Sequence, residues 1–236
     1  MDNISFITFT NYGYLHYTKN LILSLEKCNF SLPLKIYCID HKSYNELEKW
    51  NKNIILEMLN DETNTNENIV GWKKKGWNTM VFSKLKCIHK ELLQNQYVFF
   101  TDSDIVFEKD CLQYLIDTLK NYDMLIQQNI EKKYPLNSGF MFIQSNESMK
   151  NLFDWTKINI KTFTCDQDYI NDNSNNFSFY KLSMNLFPVE YHYLSNYSNL
   201  NKDIYIIHFN YYRANEKIKR MMNLYKWYIN NINLVE

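Results

Sequence analysis

The segment that most constrains this chain is Tyr97-Val98-Phe99-Phe100-Thr101-Asp102-Ser103-Asp104, an apolar run that ends in two carboxylates one residue apart. A stretch so dense in Val and Phe, flanked by helical patterns, reads as a strand buried on both faces. Such strands belong in a mostly parallel sheet covered by helices. Ile105-Val106-Phe107 stays apolar and reads as the continuation of the same strand. Open α/β sheets place their sites at the C-terminal edge of the strands, where this acidic pair falls. Two carboxylates that close repel each other and lose hydration. Keeping both ionised calls for a divalent cation with oxygen ligands, most simply Mn²⁺ or Mg²⁺, and a metal so placed is suited to hold phosphate. The plainer alternative is a turn, with Asp110 opening the next helix.

The pattern before this strand is βαβαβ. Ile4–Thr10 reads as strand one, Asn11-Tyr12-Gly13 as a turn, and 16–27 as a helix; Leu34–Asp40 reads as strand two, 44–50 as a short polar helix, and Ile54–Met58 as strand three. That alternation predicts an α/β domain with a doubly wound sheet whose first half binds a nucleotide. Residues 60–68 are polar and Asn-rich. With Gly71-Trp72-Lys73-Lys74-Lys75-Gly76-Trp77 they read either as a mobile flap or as a solvated charge run. A helix over 78–94 leads into the acidic strand. Beyond it the periodicity predicts a helix over 109–120, strands Met124–Gln127 and Gly139–Ile143, a helix over 147–160, and the cluster Cys165-Asp166-Gln167-Asp168. Strand Ile204–Ile207 then ends in His208, and a terminal helix covers 215–230.

Charge is balanced, with 26 basic and 26 acidic residues, so no global field favours nucleic acid or an anionic membrane, and an anionic ligand must be met locally. No apolar run is long enough to span a bilayer, and the first residues pass straight into a strand pattern rather than a signal peptide. A soluble, intracellular protein is the expectation. The five cysteines are an odd number without paired spacing, which predicts reduced thiols in the core.

Four separated pieces carry a resemblance: Asp102-Ser103-Asp104, Asn137-Ser138-Gly139-Phe140-Met141, Asp166-Gln167-Asp168, and His208-Phe209-Asn210 with Lys217 and Lys219 beyond. In this order they resemble the GT-A glycosyltransferases, most of all the retaining enzymes of glycosyltransferase family 8 and the broader nucleotide-diphospho-sugar transferases, over nearly the whole chain. The resemblance implies one GT-A domain over 1–236: a nucleotide-binding half over 1–108, and a sugar and acceptor half with a C-terminal helix over 109–236. It implies that Asp102 and Asp104 bind the metal on the donor diphosphate, with Ser103 between them and His208 completing the ligands. Thr8, Thr10, Asn11 and Tyr12 would line the nucleotide, with the Tyr12 ring on the base. Lys84, or Lys86 in its place, would lie near sugar and phosphates; Asn137 and Gly139 would contact the donor sugar; Asp166, Gln167 and Asp168 would flank the anomeric carbon. The family's glycine between the histidine and its lysine is missing here, which leaves Arg213, Lys217 and Lys219 as candidates for the diphosphate.

The implied activity is transfer of a sugar from a nucleotide diphosphate, with a bias to UDP, to a hydroxyl of a glycan, protein or small-molecule acceptor, with retention by same-face attack. Two rivals stand beside it. Asp102-Ser103-Asp104-Ile105-Val106 also fits the nucleophile motif of haloacid-dehalogenase-type phosphohydrolases, with Asp166 and Asp168 holding magnesium, although His208 then has no role. The other rival is a non-catalytic carbohydrate-binding protein of the same fold.

Overall fold

A computed structural model describes residues 3–50, 52–59, 77–196, 203–212 and 214–229. Strand β1 (Ile4–Thr10) passes through a single 3-10 turn into helix α1 (Leu15–Lys27). The turn is fixed locally, because the Asn11 side chain accepts from the Tyr14 amide at 3.0 Å. Strand β2 (Leu34–Cys38) is followed by α2 (His41–Glu48), which starts three residues earlier than the sequence pattern predicts. Asp40, expected at the end of the strand, is its N-cap and accepts from Ser43 N at 2.8 Å. Strand β3 (Ile54–Met58) and helix α3 (Trp77–Leu92) complete the first half. The expected flap over 60–76 lies outside the described residues.

Strand β4 (Tyr97–Thr101) lies beside β1, and here the sequence reading needs its main correction. The apolar run to Phe107 is two strands, not one. β4 stops at Thr101, the chain turns through Asp102-Ser103-Asp104, and β5 (Ile105–Phe107) leaves the main sheet. After α4 (Leu112–Leu119), strand β6 (Met124–Gln128) and the long β7 (Leu136–Gln144) form an antiparallel pair. β7 starts three residues before the predicted Gly139, so Asn137 is inside a strand. Helix α5 (Glu147–Phe153) is shorter than expected because Asp154, with ψ at 85°, leaves the helical region and caps a 3-10 turn instead. Helix α6 (Asp166–Asp172) precedes β8 (Phe179–Leu182) and α7 (Glu190–Ser195), two elements the sequence pattern did not reveal. Strand β9 (Ile206–His208) and α8 (Ala214–Asn223) follow. α8 ends well before residue 230, with Tyr225 in the left-handed region at φ 56° and Lys226 N bonded back to Met221 O.

The seven-stranded sheet has the order β3-β2-β1-β4-β7-β6-β8; only the pairs made by β7 are antiparallel. One apolar cluster covers one face under α3, α5 and α6, and a second covers the other under α1 and α4. On that second face the Phe99 ring stacks on Phe6 at 4.4 Å and meets Phe140 edge-on at 5.0 Å, tying β1, β4 and β7 together. β5 and β9 form a separate antiparallel pair with Ile105 opposite His208. No helix among the described residues is long and apolar enough to cross a membrane.

Candidate active site

The topology brings the separated motifs to one edge. β4 ends at Thr101, opposite Phe140 of the antiparallel β7, so Asn137, Ser138 and Gly139 lie just past the end of β4 beside Asp102. The Asp102 amide donates to Gly139 O at 2.7 Å. The β5–β9 register then carries His208 across to Asp104, a placement that depends on the break after Thr101. His208 Nε2 lies 3.2 Å from Asp104 Oδ1 and 3.9 Å from Asp102 Oδ2. One ligand atom from each of Asp102, Asp104 and His208 falls within 4.8 Å of the other two. Two carboxylates and one imidazole within that span suit a hard divalent cation with room left for phosphate oxygens.

Gly139 makes this convergence possible through space rather than backbone conformation. A Cβ there would come 2.3 Å from His208 Cε1 and 2.7 Å from Asp102 Oδ2. The glycine is the floor on which imidazole and carboxylate meet.

Two buried lysines partner the acids. Lys84, from the middle of α3, sits 3.0 Å from Asp102 Oδ1 and 2.8 Å from Asp166 Oδ2, and donates to Ser138 O at 3.2 Å. Ser138 Oγ also donates to Asp166 Oδ2 at 2.7 Å. Burial disfavours the charged lysine, but Asp102 and Asp166 outweigh it and hold Lys84 above its ordinary range. Lys217, from α8, is paired with Asp104 Oδ2 and lies over the Tyr17 ring at 5.4 Å. Burial would raise Asp104, yet Lys217 and then His208 keep it well below the ordinary carboxylate range. For Asp102 burial prevails over Lys84, with repulsion from Asp104 adding to it, and its carboxyl is pushed up.

This pairing makes a stability prediction. The folded value of Lys84 lies above the unfolded one, so its contribution is complete at and below the ordinary lysine range and is lost as pH rises through the folded value. At neutral pH, Lys84→Met should lower stability by about 3–5 kcal/mol, because Asp166 would face Asp102 without a counterion. Denaturant unfolding reads this directly. A loss below about 1 kcal/mol, the scale of an exposed pair, would show that the buried triad is not coupled.

The site opens into a cavity of about 870 Å³, in the upper part of the range for ligand pockets. Of the residues proposed from sequence, Thr10, Asn11, Lys84, Ser103, Asn137, Asp166, Gln167, Asp168 and Lys217 line it together with the Asp102, Asp104 and His208 set. Thr8 does not: it is fully buried in β1. Tyr12 is outside the wall, its ring under the Lys42 ammonium at 3.8 Å and its amide bonded to Asp40. Lys219 is exposed and Lys86 lies over Trp155, both away from the cavity, while Arg213 is outside the described residues. Tyr14 and Tyr17 line the cavity and were missed. In a chain of 19 tyrosines only their spacing, three residues apart at the start of α1, with Tyr14 as its N-cap, could have marked them.

Gln127 was missed as well; it is fully buried, and its Oε1 lies 2.7 Å from His208 Nδ1. The phosphohydrolase alternative left His208 without a role and offered Asp166 and Asp168 to hold magnesium. The structure gives His208 a place beside Asp104 and commits Asp166 to Lys84 and Ser138.

The sequence matches the family model of nucleotide-diphospho-sugar transferases over residues 34–221. No curated protein matches the chain. Among solved structures, a glycosyltransferase involved in glycosylation of the major capsid of PBCV-1 is similar with a TM-score of 0.60 at 12% identity, over 94% of this chain and 99% of that one. The galactosyltransferase LgtC, solved with donor and acceptor sugar analogs, gives 0.58 at 11%, over 93% and 94%. Mouse xyloside xylosyltransferase 1 gives 0.56 at 10%, over 88% and 98%. With a family match across most of its length and the fold of these enzymes, the chain belongs to the nucleotide-diphospho-sugar transferases and is a glycosyltransferase of GT-A type.

Proposed function

We propose that the protein transfers a sugar from a nucleoside diphosphate, most simply UDP, to an acceptor hydroxyl with retention, and that a divalent ion on Asp102, Asp104 and His208 takes part. The observation that carries this is the convergence of those three residues with Lys84, Lys217 and Asp166 on one cavity. A bound Mn²⁺ or Mg²⁺ supplies electrostatic stabilisation of charge on the diphosphate. Lys217, whose ammonium sits at Asp104, would share that charge. Thr10, Asn11 and Tyr14 would hold the nucleoside end. Asn137 and the first turn of α6 would hold the sugar.

Retention by same-face attack fits the state of Asp166. Its Oδ2 accepts from both Ser138 and Lys84, so it is engaged as an acceptor rather than poised as a double-displacement nucleophile. Gln167 is offered to the sugar instead. Gln167→Ala should therefore lower kcat more than it raises the donor Kd, because the contact matters most as positive charge develops at the anomeric carbon. Equal losses from the surface variant Gln113→Ala would show that the effect is not local.

The whole reading is tested by thermal unfolding against a panel of nucleotide sugars with and without Mn²⁺. Saturation at 100 times Kd adds about 2.7 kcal/mol to the folded state. A matching sugar nucleotide should raise Tm only when Mn²⁺ is present, and should then be consumed. Equal shifts in chelator would remove the metal from the reading, and no shift across uridine, guanosine, cytidine and adenosine donors would remove the donor class.

A further inference from the structure

Strand β6 carries one polar side chain where the pattern calls for an apolar one. Its Met124 and Ile126 join the core under α3, while Leu125 joins the opposite core with Phe140, Leu182 and Phe187. Alternation sends Gln127 to the Leu125 side, and it is completely buried there. The register slips between Ile126 and Gln127: Ile126 pairs with Met141 but Gln127 with Asn137. The ladder is thus broken beside Gly139, where the backbone has to approach His208.

Every polar atom of that amide is used, and the pattern fixes which way it points. Gln127 Nε2 donates to Phe187 O at 3.0 Å and Pro188 O at 3.4 Å. A flipped amide would set its oxygen against those two carbonyl oxygens, so Oε1 must be the atom facing His208 Nδ1 at 2.7 Å. An amide oxygen only accepts, so the His208 proton is on Nδ1. Nε2 is then the nitrogen turned toward the acids, 3.2 Å from Asp104 Oδ1. Pro188 O also accepts from the His208 amide at 3.0 Å, so one carbonyl anchors both the backbone of His208 and the amide that orients its ring.

We propose that Gln127 is a positioning residue for the metal centre: it selects the Nδ1-protonated tautomer of His208 and holds Nε2 toward Asp102 and Asp104. It touches neither substrate nor metal and acts only through His208. The assignment rests on the metal reading above. Outer-shell partners of this kind affect metal affinity about ten- to a hundred-fold, which sets the scale of the effect.

Two variants and one spectrum test it. Gln127→Leu fills the site with an apolar chain and removes the acceptor. Gln127→Glu keeps an acceptor for Nδ1 but turns an oxygen toward the carbonyls of Phe187 and Pro188. If Gln127 orients His208, Mn²⁺ titration followed by electron paramagnetic resonance should show affinity about ten- to a hundred-fold weaker in Gln127→Leu and largely kept in Gln127→Glu. Thermal stability should fall in the reverse order. A purely structural role would make affinity follow stability, with the glutamate variant the worse binder, and that ranking would overturn the proposal. In the unaltered protein, ¹⁵N spectra of labelled histidine, with His208 assigned by its loss in His208→Ala, should show a proton on Nδ1, the nitrogen that faces the Gln127 oxygen. A His208 with a bare Nδ1 would also overturn it. Failure of Mn²⁺ to bind the unaltered protein would sink the metal reading, while the nitrogen shifts would still judge Gln127.

Discussion

Gly139→Ala is expected to cost the enzyme nearly all of its activity while leaving a folded protein. The added methyl would lie 2.3 Å from His208 Cε1 and 2.7 Å from Asp102 Oδ2, so one of them must move. Neither moves freely: the imidazole is 2% exposed and tied to Gln127, and the Asp102 amide is bonded to Gly139 O itself. Overpacking a site like this costs about 1–3 kcal/mol, which a domain of this size can bear. The displacement, by contrast, falls on the ligand atoms, where misplacement by about 1 Å is enough for a hundred-fold loss. Circular dichroism should report intact secondary structure, and Mn²⁺-dependent transfer or donor hydrolysis should fall at least about a hundred-fold. Activity close to that of the unaltered protein would mean that His208 and Asp102 need not meet over residue 139.

The parts of this site legible in sequence were those that a strand edge announces. A dense apolar run ending in Asp102-Ser103-Asp104 marked both the sheet and its C-terminal edge, because a buried strand and a cluster of charge seldom meet without a ligand. His208 could be placed at the end of an apolar run, but its route to the acids could not. That route depends on β5 leaving the main sheet to pair with β9, and Ile105-Val106-Phe107 looks the same whether it continues β4 or joins a new partner. The direction of β7 was equally silent, since an apolar strand reads alike when parallel or antiparallel. Tyr12 was the natural choice for a strand-end aromatic, yet Asn11 caps a 3-10 turn, and Tyr14 and Tyr17 are the rings that reach the cavity. Gln127 left a trace that could have been read: alternation turns it to the same side as Leu125, and an amide buried there must find partners.

The largest loss should come from Asp104→Asn, and the arrangement of its two oxygens says why. Oδ1 faces His208 Nε2 at 3.2 Å and Oδ2 holds Lys217, so the same carboxylate ties the metal candidate to the lysine proposed for the diphosphate. Lys217 and His208 keep it ionised against the cost of burial. Asparagine preserves the shape and removes the charge. It also leaves the Lys217 ammonium, 7% exposed, facing an amide, and breaking a buried pair in that way costs about 3–5 kcal/mol. Asp102→Asn should be milder in stability, because Lys84 keeps Asp166 as its partner and because burial already pushes the Asp102 carboxyl up. Activity with Mn²⁺ should fall in Asp104→Asn by more than about a hundred-fold, beyond the effect of outer-shell partners. The double variant Asp104→Asn with Lys217→Met separates the two consequences. Removing the stranded ammonium should restore most of the lost stability in denaturant unfolding and none of the activity. Recovery of activity along with stability would show that Asp104 serves the fold alone, and full transfer by Asp104→Asn in the presence of chelator would exclude it from any metal site.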